Sequence, residues 1–212
     1  MGMNVADPGF ADWLARCPLV AILRGVRPDE VEGVVAVLVA HGIAIVEVPL
    51  NSPEPIASIR RLVARYGTRL LIGAGTVMSE AQVGEIAAAG GRLIVTPHAA
   101  AEVVRAAKRL GMHACPGIAT ATEAFAMLAA GADAIKLFPA EASSPAVLRA
   151  LRAVLPAGTL VLPVGGVDAA TLQPWREAGA AGFGIGSSIF RPGDTPARVA
   201  EKAAALVAGL RS

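Results

Sequence analysis

Lys136 is the residue that most invites a chemical reading. The chain carries 19 lysines and arginines, but only Lys108, Lys136 and Lys202 are lysines. Lys108 and Lys202 stand in helix-like stretches with polar neighbours, whereas Lys136 sits in Ala-Ile-Lys-Leu-Phe, an otherwise apolar run. A strand of that composition turns Ile135 and Leu137 to one face and Lys136 to the other. An amine carried into an apolar interior loses hydration, which favours its neutral form and lowers its pKa from about 10.4. A neutral amine attacks a carbonyl and forms a Schiff base. Glu47 is set in a similar run, Ile-Val-Glu-Val-Pro. Burial there raises a carboxyl's pKa and lets it exchange protons near neutrality. The plainer reading is a buried Lys136–Glu47 ion pair, or a Glu47 that fixes a loop by hydrogen bonds. A buried ion pair adds little stability by itself, so it is a weak reason to place a lysine there.

Other polar residues close apolar runs in the same way. In chain order they are Arg24, Glu47, Gly75-Thr76, Thr96-Pro97-His98, Cys115-Pro116-Gly117, Lys136, Gly165-Gly166 and Gly186-Ser187-Ser188. They amount to a cation, an acid/base candidate, an amine and two glycine-rich loops. Loops of the last kind bind phosphate through backbone N–H groups. Gly-Gly alone is a weak signal, and the pair of loops together is a better one. No Walker loop occurs, and glycines 182, 184 and 186 do not form a dinucleotide fingerprint. His41 precedes a helix-ending glycine and reads as a surface cap. His113 lies early in a strand, away from the polar rim, and His98 reads as a loop histidine. Histidines and acids show no metal spacing, so neither a metal nor a cofactor is expected.

The elements that must carry these residues repeat along the chain. An alanine-rich helical stretch ends in glycine at 42, 67, 90, 111, 131, 158 and 179, and a short apolar run follows each. Glycine just past a helix supplies the left-handed residue that closes it. Runs that are apolar throughout suit strands buried on both faces. Strands are predicted near 19–24, 43–48, 70–74, 92–96, 112–115, 134–138, 160–164 and 182–186, each followed by a helix. A short helix near 8–16 precedes the first. Helix starts are marked by Pro28-Asp29-Glu30, Ser52-Pro53-Glu54, Ser79-Glu80, Ser144-Pro145 and Asp168. Strict βα alternation demands a parallel sheet. Eight units favour an α/β chain closed into a single (β/α)8 TIM barrel domain over residues 1–212, with a short N-terminal helix. The polar residues then gather at the C-terminal ends of the strands, where such barrels place their sites.

Composition narrows the function classes. The chain has 212 residues, 54% of them hydrophobic and 17% charged, which excludes a disordered chain. No apolar run is free of charge for the length of a membrane span; the best stretch, Val31 to Leu50, contains Glu32, His41 and Glu47. The net charge is +2 and aromatics are 4%, so there is no basic, aromatic-rich stripe for nucleic acid. Cys17 and Cys115 form no CxxC and read as free thiols of a reducing cytoplasm. The opening residues MGMNVADPGF lack a basic region before an apolar core, and Ala6 stands where a myristoylation site needs Ser or Thr.

At this level the chain resembles the class I aldolases that cleave 2-keto-3-deoxy-6-phospho sugar acids. The resemblance runs from about residue 18 to 207. It is carried by VEVPLNSP around Glu47, GAGTV at 73–77, VTPH at 95–98, CPGIATATEA at 115–124, KLFPAE at 136–141, VGGV at 164–167 and GIGSS at 184–188. It implies Lys136 as the Schiff-base lysine, Glu47 as the acid/base residue and Thr76 as a contact of the keto-acid end. It also implies Gly165, Gly166, Gly186 and Ser187 as the phosphate site, and a homotrimer. Gluconate-type members usually carry an arginine shortly after the glutamate; here that stretch reads Val48-Pro49-Leu50-Asn51. The AILRG run at 21–25 resembles the galactonate-type branch, in which Arg24 takes the substrate carboxylate. The implied partners are a phosphorylated keto sugar acid, pyruvate and glyceraldehyde 3-phosphate. A gluconate-type or dual-epimer aldolase is the near alternative. A sugar-phosphate isomerase or epimerase leaves Lys136 without a role, and a noncatalytic phosphate-binding barrel is the third reading.

Overall fold

The computed structural model describes residues 8–211. Residues 1–7, most of the stretch read for targeting signals, lie outside them. Helix α1 (Phe10–Arg16) comes first, and β1 (Leu19–Ile22) and α2 (Val31–Ala40) begin the alternation. There follow β2 (Ile45–Pro49), α3 (Pro55–Tyr66), β3 (Leu71–Gly75), α4 (Glu80–Ala88), β4 (Leu93–Val95) and α5 (Ala101–Arg109). The second half holds β5 (His113–Cys115), β6 (Gly117–Ile118), α6 (Ala121–Ala129), β7 (Ile135–Leu137) and α7 (Pro145–Val154). It ends with β8 (Val161–Pro163), α8 (Leu172–Glu177), β9 (Phe183–Ile185) and α9 (Pro196–Gly209).

Every strand pairing is parallel, as alternation with helices requires. The strands curl in two hydrogen-bonded pieces, in the orders β5-β4-β3-β2-β1-β9 and β6-β7-β8. The eight-stranded closed ladder read from the sequence is therefore not what the hydrogen bonds draw. At one seam the expected fifth strand splits around Pro116, which has no N–H to give to a ladder. Its carbonyl still accepts from the Lys136 N–H at 2.8 Å. At the other seam β8 ends in Pro163, and a single bridge, Val164 to Gly184, crosses to β9. Glycine is needed there, because a Cβ on Gly184 would lie 2.6 Å from a Val164 methyl.

Helices cover the curl on the outside. On α2, Val31, Val34, Val35 and Leu38 recur at helical spacing and are buried. Each such side chain contributes roughly 1.5–3 kcal/mol of burial free energy. Gly42, with φ of 82°, closes α2 in the left-handed conformation expected of it. Ser79 and Ser144 cap α4 and α7 through Gln82 and Val147. Ser52 does not cap α3. Glu54 takes that place, and Ser52 Oγ accepts from the Gly25 N–H at 2.9 Å, tying the turn after β1 to the turn after β2. Helix α1 buries Phe10, Trp13 and Leu14. Phe10 reaches the His113 ring at the start of β5, so α1 closes the end of the curl remote from the polar strand ends. Among the described residues no helix is long and apolar enough to cross a membrane.

Candidate active site

Lys136 occupies the middle of β7, in register with Gly117 on one side and Leu162 on the other. It is 6% exposed, and Glu47 on β2 is 2% exposed. Both face a small interior cavity lined by Phe10, Val20, Leu93 and Leu162. Lys136 also opens upward into a cavity of about 480 Å3 at the C-terminal ends of the strands. The amine thus stands at the boundary between an apolar floor and a polar mouth. Its Nζ lies 4.5 Å from the centre of the Phe138 ring. No salt bridge joins Lys136 to Glu47 among the described residues, whereas Lys108 is paired with Asp133 and Lys202 with Asp194. Lys136 and Glu47 still attract each other through space, without a direct ion-pair contact among the described residues.

Burial pushes the Glu47 carboxyl up to about 7, against the opposing pull of Lys136 and Arg24. Burial likewise holds the Lys136 amine below its ordinary value, while Glu47 and Cys115 oppose that shift. A carboxyl that changes state near neutrality can pass protons, and an amine whose neutral form is favoured by burial can attack a carbonyl. Gly75 makes the carboxyl's position possible, because a Cβ there would overlap its Oε2 and carboxyl carbon. Glu47 Oε2 is buried without a hydrogen-bond partner among the described residues. An orphaned buried oxygen costs about 1–3 kcal/mol, a cost that a purely structural residue would shed.

The turns after β1, β2 and β3 meet at Arg24. This residue is exposed. Its Nη1–H donates to Asn51 Oδ1 at 2.6 Å and its Nη2–H to Thr76 Oγ1 at 3.5 Å. Thr76 has a φ of 56°, a left-handed conformation that is costly for a β-branched residue. Across the cavity, Gly165 and Gly166 take φ of 108° and 65°. They line it together with Gly186, Ser187 and Ser188. The backbone N–H groups of Gly166, Ser187 and Ser188 make no hydrogen bond among the described residues.

Of the residues picked from the sequence, Arg24, Lys136, Gly165, Gly166, Gly186 and Ser187 line one cavity. Glu47 lies beneath it, and Thr76 joins through Arg24. The histidines stay apart. His41 Nδ1 meets the Val37 carbonyl at 2.7 Å, His113 is buried at the far end, and the His98 carbonyl accepts from Thr96 Oγ1. Both cysteines are free and buried, and burial pushes the Cys115 thiol up to about 12. The sequence reading missed Asn51 as the partner of Arg24, and it missed Phe138, Glu141 and Arg191 in the lining. Phe138 and Glu141 stand within KLFPAE, two and five residues after Lys136, and that spacing was the available signal.

A curled parallel α/β sheet with a buried lysine and a buried glutamate at its polar rim has the layout of an α/β enzyme. The chain belongs to the KDPG and KHG aldolase family, whose model matches residues 11–198. It is an aldolase, a lyase. It is 48% identical to the 2-dehydro-3-deoxy-6-phosphogalactonate aldolase of Escherichia coli (strain K12), over 94% of this chain and 97% of that protein. A solved structure named native KDPGal matches with a TM-score of 0.91 and 48% identity, covering 92% of this chain and 95% of that one. A cube-shaped, porous protein cage designed by fusing symmetric oligomeric domains matches with a TM-score of 0.90 and 49% identity, covering 92% of this chain and 72% of that one.

Proposed function

We propose that this chain cleaves 2-dehydro-3-deoxy-6-phosphogalactonate reversibly to pyruvate and glyceraldehyde 3-phosphate, working as one (β/α)8 barrel domain. The observation that carries the reading is Lys136: of the three lysines it alone is buried in the cavity without a carboxylate partner among the described residues. The likeness to the 2-dehydro-3-deoxy-6-phosphogalactonate aldolase of Escherichia coli and to the structure named native KDPGal supports the substrate. Neutral Lys136 attacks the C2 carbonyl, the carbinolamine takes up one proton from solvent through Glu47 and loses water, and a protonated imine forms with Glu47 left ionised; imine hydrolysis later returns that proton. Ionised Glu47, directly or through a water, takes the C4 hydroxyl proton. The C3–C4 electron pair then moves into the imine as an enamine, and glyceraldehyde 3-phosphate departs. Protonation of the enamine at C3 and hydrolysis of the imine release pyruvate and restore Lys136.

Arg24, steadied by Asn51 and Thr76, holds the substrate carboxylate beside the reacting carbonyl. Gly165, Gly166, Gly186 and Ser187 take the phosphate with backbone N–H groups. The likeness to a cage built from symmetric oligomeric domains supports an oligomer, for which we propose a trimer. Two reduced thiols and a phosphorylated sugar acid fit a cytoplasmic enzyme. The test is pyruvate release from the two C4 epimers at matched concentrations. The galactonate epimer should give the larger kcat/KM. A preference for the gluconate epimer assigns the chain to the other branch, and turnover of neither rejects the reaction.

A further inference from the structure

A phosphate monoester brings nearly two negative charges into the cavity at neutral pH. Two of the cations lining that cavity, Arg24 and Lys136, are engaged at the carboxylate and carbonyl end under the reading above. Apart from Arg191, the opposite end is made of uncharged loops and one acid. Glu141 lies over the glycine pair: a Cβ on Gly165 would overlap its Oε2, and one on Gly166 would stand 2.6 Å from its Cγ. A carboxylate there repels a phosphate, so backbone N–H groups act against an adverse charge.

Arg191 supplies the missing cation. It lines the cavity beside Gly186, Ser187 and Ser188. Its Nε–H donates to the Ser187 carbonyl at 3.2 Å, and its backbone N–H donates to Asp194 Oδ2 at 2.8 Å. Asp194 is itself held by Lys202 from α9. The stem and Nε are therefore fixed to the glycine-serine loop, while neither Nη has a hydrogen-bond partner among the described residues. A planar guanidinium with two free donor groups matches a phosphate better than a point charge does.

We propose that Arg191 is the specificity-determining side chain for the phosphate end of the substrate, clasping the phosphate through its Nη groups above the Ser187 carbonyl. The proposal rests on the aldolase reading. Its test compares kcat/KM for the phosphorylated sugar acid and for its dephosphorylated counterpart in the wild-type enzyme, Arg191→Gln and Arg191→Lys. Inhibition by inorganic phosphate is measured in parallel. In Arg191→Gln the preference for the phosphorylated substrate should fall about 10- to 100-fold, the range of a charge-assisted contact, mostly through KM. Phosphate inhibition should weaken with it, and Arg191→Lys should fall between the two. An unchanged preference, or an equal loss on both substrates, makes Arg191 a loop-fixing residue and overturns the proposal. Wild-type enzyme that cleaves both substrates equally well overturns the phosphate-loop assignment itself, and the proposal with it.

Discussion

Glu47 and Lys136 are coupled through burial, and each responds to the loss of the other. Glu47 must be ionised to take the C4 proton, and Lys136 must be neutral to attack, so both requirements fail as pH falls. With the carboxyl near about 7, kcat should rise with pH through that value and level off above it. Glu47→Gln should lower kcat roughly 10²–10⁴-fold and abolish that limb. The same variant removes the carboxylate that raises the pKa of Lys136, so the pH dependence of imine formation should move to lower pH. A wild-type profile in Glu47→Gln would give the proton transfers to another group. Gly75→Ala offers an independent check, because its methyl must displace the Glu47 carboxyl. Its kcat should drop on the scale of the Glu47→Gln loss, with an unaltered circular dichroism spectrum. Near-normal turnover would mean that the carboxyl need not sit where it does. Both carboxyl and amine were legible in the sequence, since a charge within an apolar strand has few bland explanations. The role of Gly75 was not, because it lies in the space the glycine leaves empty.

The turns after β1, β2 and β3 act as one device. Ser52 ties the second turn to Gly25, and Arg24 bonds to Asn51 and to the strained Thr76. Arg24→Ala should weaken substrate binding by about 1.5–3 kcal/mol, seen in KM, and Arg24→Lys by less. Unchanged KM and kcat in Arg24→Ala would move the carboxylate clamp elsewhere and remove the main support for the galactonate-type branch. Most elements could be read from the sequence because glycine-ended helices and apolar runs repeat with little noise. Two local features could not. Ser52-Pro53-Glu54 has the composition of a helix cap, yet Ser52 finds its partner across the sheet in Gly25. Pro116 interrupts what its neighbours present as one strand. In each case a contact or a missing donor belonging to the next strand decides the outcome, and no local pattern reports it.

Eight strand-helix units were countable in the sequence, and each is followed by its helix in the structure. The way the sheet closes was not countable, because it depends on two prolines and one Val164–Gly184 bridge at the seams. Sedimentation equilibrium should return the mass of three chains, and a concentration-independent monomer would contradict the proposed trimer. The proposed reaction requires a covalent bond at Lys136. Borohydride reduction in the presence of pyruvate, followed by peptide mass mapping, tests it most directly. The result expected is loss of activity with one reduced pyruvate on the peptide that contains Lys136. Labelling at Lys108 or Lys202 instead, or full activity with no label, would contradict it.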